Sequence, residues 1–81
     1  MNHASIWAAV DYVAASNGLS RSGLARACGL DATAFNKSKR IDKYGKLHWP
    51  SCITIAKIIS FAHISPEEFG RIIRKTTNPK N

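Results

Sequence analysis

The stretch from Ser20 to Arg40 constrains the fold of this 81-residue chain more than any other. Ser20 suits the N-cap of a helix, because its hydroxyl can accept a hydrogen bond from a free backbone N–H. The apolar positions that follow at helical spacing are Leu24, Ala25 and Cys28. Gly29 then permits a positive φ where the chain must bend, and Asp31 offers a second N-cap. The stretch therefore predicts two short helices, the second over residues 32–39, joined by a tight turn.

The flanking sequence predicts three further helices. Ala4–Ser16 has an apolar stripe at i, i+4, i+7 and i+8, and Asn17-Gly18 supplies a left-handed stop. Pro50-Ser51 opens a helix through Ala62, and Ser65-Pro66-Glu67-Glu68 has the residues of an N-cap with a capping box. We expect an all-α fold of five helices in one domain over residues 1–75, with a polar tail or linker start over 76–81.

Hydrophobic spacing also predicts which residues are buried. The fourth helix is apolar on most sides, so we expect it to be the central, buried helix. Cys28 and Cys52 each lie in an apolar stretch, and with only two cysteines and no CxxC pair we expect buried thiols rather than a disulfide or a metal site. In the connection over 41–49, the apolar side chains expected to tuck inward are Ile41, Leu47 and Trp49.

Positive charge is unevenly distributed along the chain. The net charge is +7, and residues 21–49 hold seven basic residues against two acidic ones. A concentration of this kind is expected of a surface that meets phosphate groups, although charge alone is equally consistent with a solvated basic face. No stretch is long and apolar enough for a bilayer and no signal peptide is recognisable, so we expect a cytoplasmic protein, nucleoid-associated in a bacterium or infected cell.

The third predicted helix is unusually polar. Phe35 is its single large apolar residue, and Thr33, Asn36 and Lys37 share one face at i, i+3 and i+4. These side chain types can address base edges: asparagine pairs with adenine, lysine with guanine, and the threonine methyl group contacts thymine. The alternative is an ordinary solvated surface helix.

The Ala25-x-x-x-Gly29 turn between short helices resembles the lambda-repressor-like helix-turn-helix fold of phage Cro and repressor proteins. A closer resemblance covers Leu19–Ser51, where GLARACGLDATAFNKSKR, a basic loop and WPS look like the N-terminal domain of phage C-type repressors that carry a LexA-like peptidase domain. The resemblance implies that residues 20–28 are a positioning helix and that residues 31–40 are a recognition helix in the major groove of DNA.

Individual roles follow from the matched positions. The expected base-reading residues are Ala32, Thr33, Asn36 and Lys37. The expected phosphate-binding residues are Arg21, Ser22, Lys39, Arg40, Lys43 and Lys46. Arg21 stands where the family often has glutamine, and an arginine at this position is suited to a phosphate contact rather than a base contact.

The leading hypothesis is a sequence-specific double-stranded DNA-binding domain of a phage or prophage-type transcriptional repressor. We expect a palindromic operator and a homodimer, formed on DNA or through a C-terminal domain that this chain lacks. The alternative is a protein-interaction module, such as an antitoxin-like or adaptor protein on the same fold, which an exposed apolar patch would favour. No nucleophile or metal-ligand spacing is recognisable, so we expect neither an enzyme nor a cofactor.

Overall fold

Four α-helices and one short 3-10 helix are present in the computed structural model of the chain, which describes residues 1–76. The α-helices are α1 (His3–Ser16), α2 (Arg21–Ala27), α3 (Cys52–Ala62) and α4 (Pro66–Thr76), and the 3-10 helix is Lys37–Lys39. The predicted all-α class is confirmed, whereas five α-helices are not found among the described residues. Of the predicted tail, Thr76 closes α4 and residues 77–81 lie outside the described residues.

Local sequence signals explain where the helices begin and end. Ser20 accepts a hydrogen bond from the backbone N–H of Gly23 (3.1 Å) as the predicted N-cap of α2. Gly18 and Gly29 both have positive φ, +68° and +74°, and each stands just beyond a helix. At the second stop, Leu30 N–H donates to the Ala25 carbonyl (2.8 Å), which closes the helix end as in a Schellman motif. The two turns predicted at these glycines are therefore confirmed.

Helix α1 is the centre of the fold, because it contacts each of the other three helices. Its buried side chains are Ser5, Trp7, Ala9, Val10, Val13 and Ala14. The prediction that the fourth predicted helix, now α3, is the central one is wrong: Ile58 is its one fully buried residue, and Ile53 is 69% exposed. An apolar sequence shows that a helix can be buried, but packing decides which apolar helix the others surround.

Burial of the cysteines also differs from the prediction. Cys28 is half-buried and Cys52 is exposed at the first turn of α3, and both are free thiols. Burial raises the pKa of the Cys28 thiol above its ordinary value, which keeps this thiol protonated at neutral pH. None of the helices described for residues 1–76 is long and apolar enough to cross a membrane.

Residues 32–39 do not form the predicted α-helix. The chain makes i→i−3 hydrogen bonds from Ala34 to Asp31 and from Asn36 to Thr33, and is extended at Asn36 (ψ 150°) before the 3-10 helix starts. Tertiary contacts explain the break, since Phe35 and Arg40 are both buried. On a continuous α-helix, the side chains of two residues five positions apart point in directions that differ by about 140°. An unbroken helix would therefore turn one of these two side chains into solvent.

A small hairpin follows, with an isolated antiparallel bridge between Ile41 and Leu47. These two side chains and that of Trp49 were predicted to tuck inward, but each is about half exposed, at 49%, 49% and 52%. A short hairpin with one bridge offers no second layer against which they could be covered. We call residues 41–47 the hairpin.

Candidate nucleic-acid interface

A run of exposed polar and basic side chains extends from the turn after α2 to the hairpin. We call it the basic strip, and its members are Thr33, Asn36, Lys37, Lys39, Lys43 and Lys46, all exposed. None of its four lysines makes an ion pair within the described part of the chain. The strip therefore presents uncompensated positive charge to solvent.

The four expected base-reading residues are arranged differently from a helical face. Thr33 lies in a turn, where both its backbone N–H (2.9 Å) and its hydroxyl (2.7 Å) donate to Asp31 Oδ1. Asn36 is extended and Lys37 starts the 3-10 helix, so the shared α-helical face predicted for them is not formed. Ala32 is half-buried. Three of the four side chains are exposed, but they are carried by a turn and the start of the 3-10 helix rather than by an α-helical face.

Asp31 is held by Thr33 rather than capping an α-helix. The hydrogen bonds from the Thr33 hydroxyl and backbone lower the pKa of the Asp31 carboxyl below its ordinary value. This carboxylate is consequently ionised at neutral pH and engaged by its own turn, which fixes the backbone entering the basic strip.

Arg40 was expected to bind phosphate, but the structure places its side chain inside the protein. Its side chain is only 10% exposed, and two guanidinium nitrogens donate to Asp11 at 2.7 and 2.9 Å. Its Nε donates to the Phe35 carbonyl (3.1 Å), and the guanidinium lies 4.5 Å from the centre of the Trp7 ring. All these contacts are internal, so Arg40 is a structural residue that joins the basic strip to α1.

Asp11 is the acceptor for two arginines. Arg21, another expected phosphate-binding residue, is more exposed than Arg40 and donates from Nε to Asp11 Oδ1 at 3.2 Å. Partial burial by itself raises the pKa of Asp11, but the hydrogen bonds from Arg40 and Arg21 outweigh it and lower the pKa below its ordinary value. Arg21 thus keeps an exposed guanidinium, with part of its charge already compensated.

The remaining expected phosphate contacts differ in availability. Ser22 is half-buried, with its hydroxyl 3.2 Å from that of Ser20. Lys39 is exposed at the end of the 3-10 helix. Lys43 and Lys46 are exposed on the hairpin, and Lys43 Nζ lies 5.2 Å from the centre of the Tyr44 ring. Of the expected phosphate contacts, Lys39 and the two hairpin lysines are thus exposed and free of ion pairs within the described residues.

Asp42 organises the hairpin. Its Oδ1 accepts the backbone N–H of Tyr44 (2.8 Å) and of Lys46 (3.0 Å), and its Oδ2 lies 3.1 Å from His48 Nε2. The hydrogen bond from His48 lowers the pKa of Asp42 most, followed by that from Lys46. The one carboxylate of the hairpin is therefore used internally, and Gly45 completes the turn at φ +80°.

Sequence reasoning missed the residues of α1 that hold this segment. Trp7 Nε1 donates to the His48 carbonyl (2.9 Å), and His3 Nε2 lies 3.0 Å from both the Arg40 and the His48 carbonyls. Because both neighbours are acceptors, His3 Nε2 must carry the proton. One signal was present: Asp11 is the single charged residue of the first 20 and follows Trp7 by four positions, which puts both on one helix face.

No group of three or more side chains able to hold a metal ion occurs within residues 1–76. The basic strip therefore offers a ligand hydrogen-bond donors and cations, on a segment that side chains of α1 hold in place. Comparisons of the chain with models of known protein families, with curated proteins and with solved structures found no match.

Proposed function

We propose that this chain is a sequence-specific double-stranded DNA-binding domain of a phage or prophage-type transcriptional repressor. The observation that carries the proposal is the charge arrangement of the basic strip. Its lysines are exposed and unpaired among the described residues, whereas Asp31 and Asp42, the acidic residues of the same segment, are engaged by their own turns. Such a surface attracts a polyanion and has donors at hand for base edges.

The contacts that we propose follow from exposure. The turn with Thr33, Asn36 and Lys37 enters the major groove and reads bases, while Lys39, Lys43 and Lys46 neutralise phosphates. Arg40 is not among the proposed phosphate contacts, because its guanidinium is paired with Asp11. Arg21 is included, although the same carboxylate compensates part of its charge. A turn can enter the groove, since B-DNA's major groove is about 12 Å wide.

Bracing from α1 supports a reading role for this turn. The segment lacks an α-helix of its own, but Arg40 attaches its end to Asp11 and Trp7, and His3 holds the carbonyls on both sides of the hairpin. A held segment loses little conformational entropy when it binds, which favours base recognition over a merely adhesive charge. The resemblance of Leu19–Ser51 to phage C-type repressors identifies the class of DNA-binding protein that we propose.

Selection of bound duplexes from a random DNA pool, at a stated salt concentration, tests the proposal. We expect one enriched motif, arranged as a palindrome with half-sites about 34 Å apart if the protein acts as a dimer. Recovery of a pool with no enriched sequence would contradict sequence-specific binding.

The variant Lys37→Ala then tests the reading role. On the enriched site we expect a loss of about 1–3 kcal/mol, and a smaller loss on a scrambled duplex. Lys75→Ala is the matched control, because it removes one exposed lysine of α4 outside the basic strip and should affect both duplexes equally. Equal losses for Lys37→Ala on the two duplexes would make Lys37 a phosphate contact.

The exposed apolar side chains favour one second candidate, a protein-interaction module on the same fold. Ile41, Leu47, Trp49 and Ile53 are all at least about half exposed, and the first two are paired across the hairpin. Clustered apolar exposure is characteristic of surfaces that bind other proteins. Sedimentation of the protein at increasing concentration, with and without the selected duplex, measures self-association. If this apolar surface binds another protein chain, Trp49→Ser should weaken that association. Association that persists in Trp49→Ser would argue against this surface.

A further inference from the structure

We infer that Tyr44, at the tip of the hairpin, is a second point of contact with duplex DNA. Its ring lies against sugar and base edges beyond the phosphates bound by Lys43 and Lys46. This inference rests on the proposed DNA binding and adds to it a non-ionic contact. The side chain is 83% exposed, the most exposed aromatic residue that the structure describes.

The tip is held in place without any help from the Tyr44 ring. Asp42 accepts the N–H groups of Tyr44 and Lys46, donates its own N–H to the Lys46 carbonyl (3.0 Å), and accepts Gly45 N–H at its carbonyl (2.9 Å). His48 Nε2, 3.1 Å from Asp42 Oδ2, adds a further hydrogen bond. An aromatic ring on a tip that is fixed by other groups can meet a partner at little cost in ordering.

Charge indicates that this partner is a nucleic acid. The hairpin's single carboxylate faces its own backbone, so the groups directed outward around Tyr44 are the ammonium groups of Lys43 and Lys46. Lys43 Nζ already lies 5.2 Å from the Tyr44 ring centre, so ring and cation can meet a sugar and its phosphate together. A cation beside an exposed aromatic ring offers duplex DNA a partner for the phosphate and an apolar surface for the sugar and base edges.

The tip of the hairpin is close in the chain to the proposed reading turn. The hairpin starts one residue after the 3-10 helix, and Ile41 N–H donates to the Lys37 carbonyl at 3.3 Å. Ile41 and Leu47 pair at the base of the hairpin, and Tyr44 lies in the turn beyond this bridge. The exposed ring at this tip and the proposed reading turn therefore lie on one short segment, and both can contact the same duplex.

The test measures binding of the full 81-residue chain to a fluorescein-labelled duplex of about 30 base pairs and mixed sequence, by anisotropy at several salt concentrations between about 50 and 200 mM. Tyr44→Ala should weaken binding roughly 5-fold at each concentration, with an unchanged salt dependence, because the lost contact is apolar burial of a ring and carries no charge. Tyr44→Phe should bind nearly as well as the wild type, since it keeps the ring. Tyr12→Phe, a half-exposed tyrosine of α1, is the control and should bind as the wild type.

The outcomes distinguish this inference from the proposal on which it rests. If the wild type binds no duplex even at about 50 mM salt, both fail. If the wild type binds and Tyr44→Ala binds equally well, DNA binding stands and the inference is overturned. The labelled single strand is titrated in parallel. If Tyr44→Ala lost affinity only for that single strand, the inference would also be overturned, because the contact would then be to unpaired bases. Thermal melting of each variant verifies folding, and a loss by Tyr44→Ala at an unaltered melting temperature supports the contact.

Discussion

Replacing Asp11 with alanine should destabilise the fold by leaving the guanidinium of Arg40 without its counter-ion. Removing one partner of a fully buried ion pair costs about 3–5 kcal/mol, because an uncompensated charge remains in the interior. Arg40 is 10% exposed but Asp11 is 34% exposed, so water can compensate part of the loss. We therefore expect the free energy of unfolding to fall by about 2–3 kcal/mol. For a domain of this size that corresponds to a melting temperature lower by about 10–20 °C.

Thermal and urea unfolding followed by circular dichroism measure this change, and Glu68→Ala provides the matched control. Glu68 pairs with Arg71 at 2.8 Å, as close as the Arg40–Asp11 contacts, but Arg71 is 61% exposed where Arg40 is 10% exposed. Exposed pairs of neighbouring residues on a helix contribute little. If Asp11→Ala melted no lower than Glu68→Ala, the claim that Asp11 compensates a buried charge would be refuted.

The same pair predicts how stability depends on pH. The pKa of Asp11 is lowered in the folded state, so its contribution is fully present above the unfolded value, about 3.8, and is lost as pH falls through the folded pKa. The difference in stability between the wild type and Asp11→Asn should therefore be constant from about pH 5 to 8 and shrink below about pH 4. A difference that already changed between about pH 6 and 8 would indicate another titrating group.

Three further substitutions test other parts of the structure. Lys43→Ala should weaken binding to all duplexes alike and make the salt dependence shallower by about one unit, and an unaltered slope would exclude a phosphate contact. Phe35→Ala should cost about 3–5 kcal/mol in urea unfolding, and an unchanged midpoint would show that this buried ring is not an anchor of the core. Gly29→Ala should cost about 1–2 kcal/mol through its positive φ alone, because an added Cβ would meet nothing within 4 Å. Gly70→Ala in α4 meets equally open space without a positive φ and should instead stabilise the fold slightly, so equal effects of the two would refute the argument from φ.

Helix ends were the most predictable part of the fold from sequence. The cap at Ser20 and the stops at Gly18 and Gly29 depend on hydrogen bonds between residues at most five positions apart. The presence of α1, α2, α3 and α4 was equally predictable, because apolar spacing and caps are local properties. Such signals are complete within a short stretch of chain, and no distant contact is needed to interpret them.

The candidate site was predictable only in part. The sequence indicates that Lys37, Lys39, Lys43 and Lys46 are exposed, since unpaired lysines in a polar stretch have no reason to be buried. It does not reveal that Arg40, two residues before the basic hairpin turn begins at Asp42, is buried instead. Its partners Asp11 and Trp7 lie 29 and 33 positions away in the chain, and only folding brings them together.

What the sequence by itself determined is the set of four α-helices, their caps and the positive charge between α2 and α3. The tertiary structure decided that α1 rather than α3 is central and that residues 32–39 form a turn and a 3-10 helix. The same physical reason explains the central position of α1 and the conformation of residues 32–39. Phe35 and Arg40 must reach the same α1 surface, and a regular helix cannot direct residues five positions apart to one side. Long-range packing therefore overrode a local helical pattern, and it did so at the segment that we propose reads DNA.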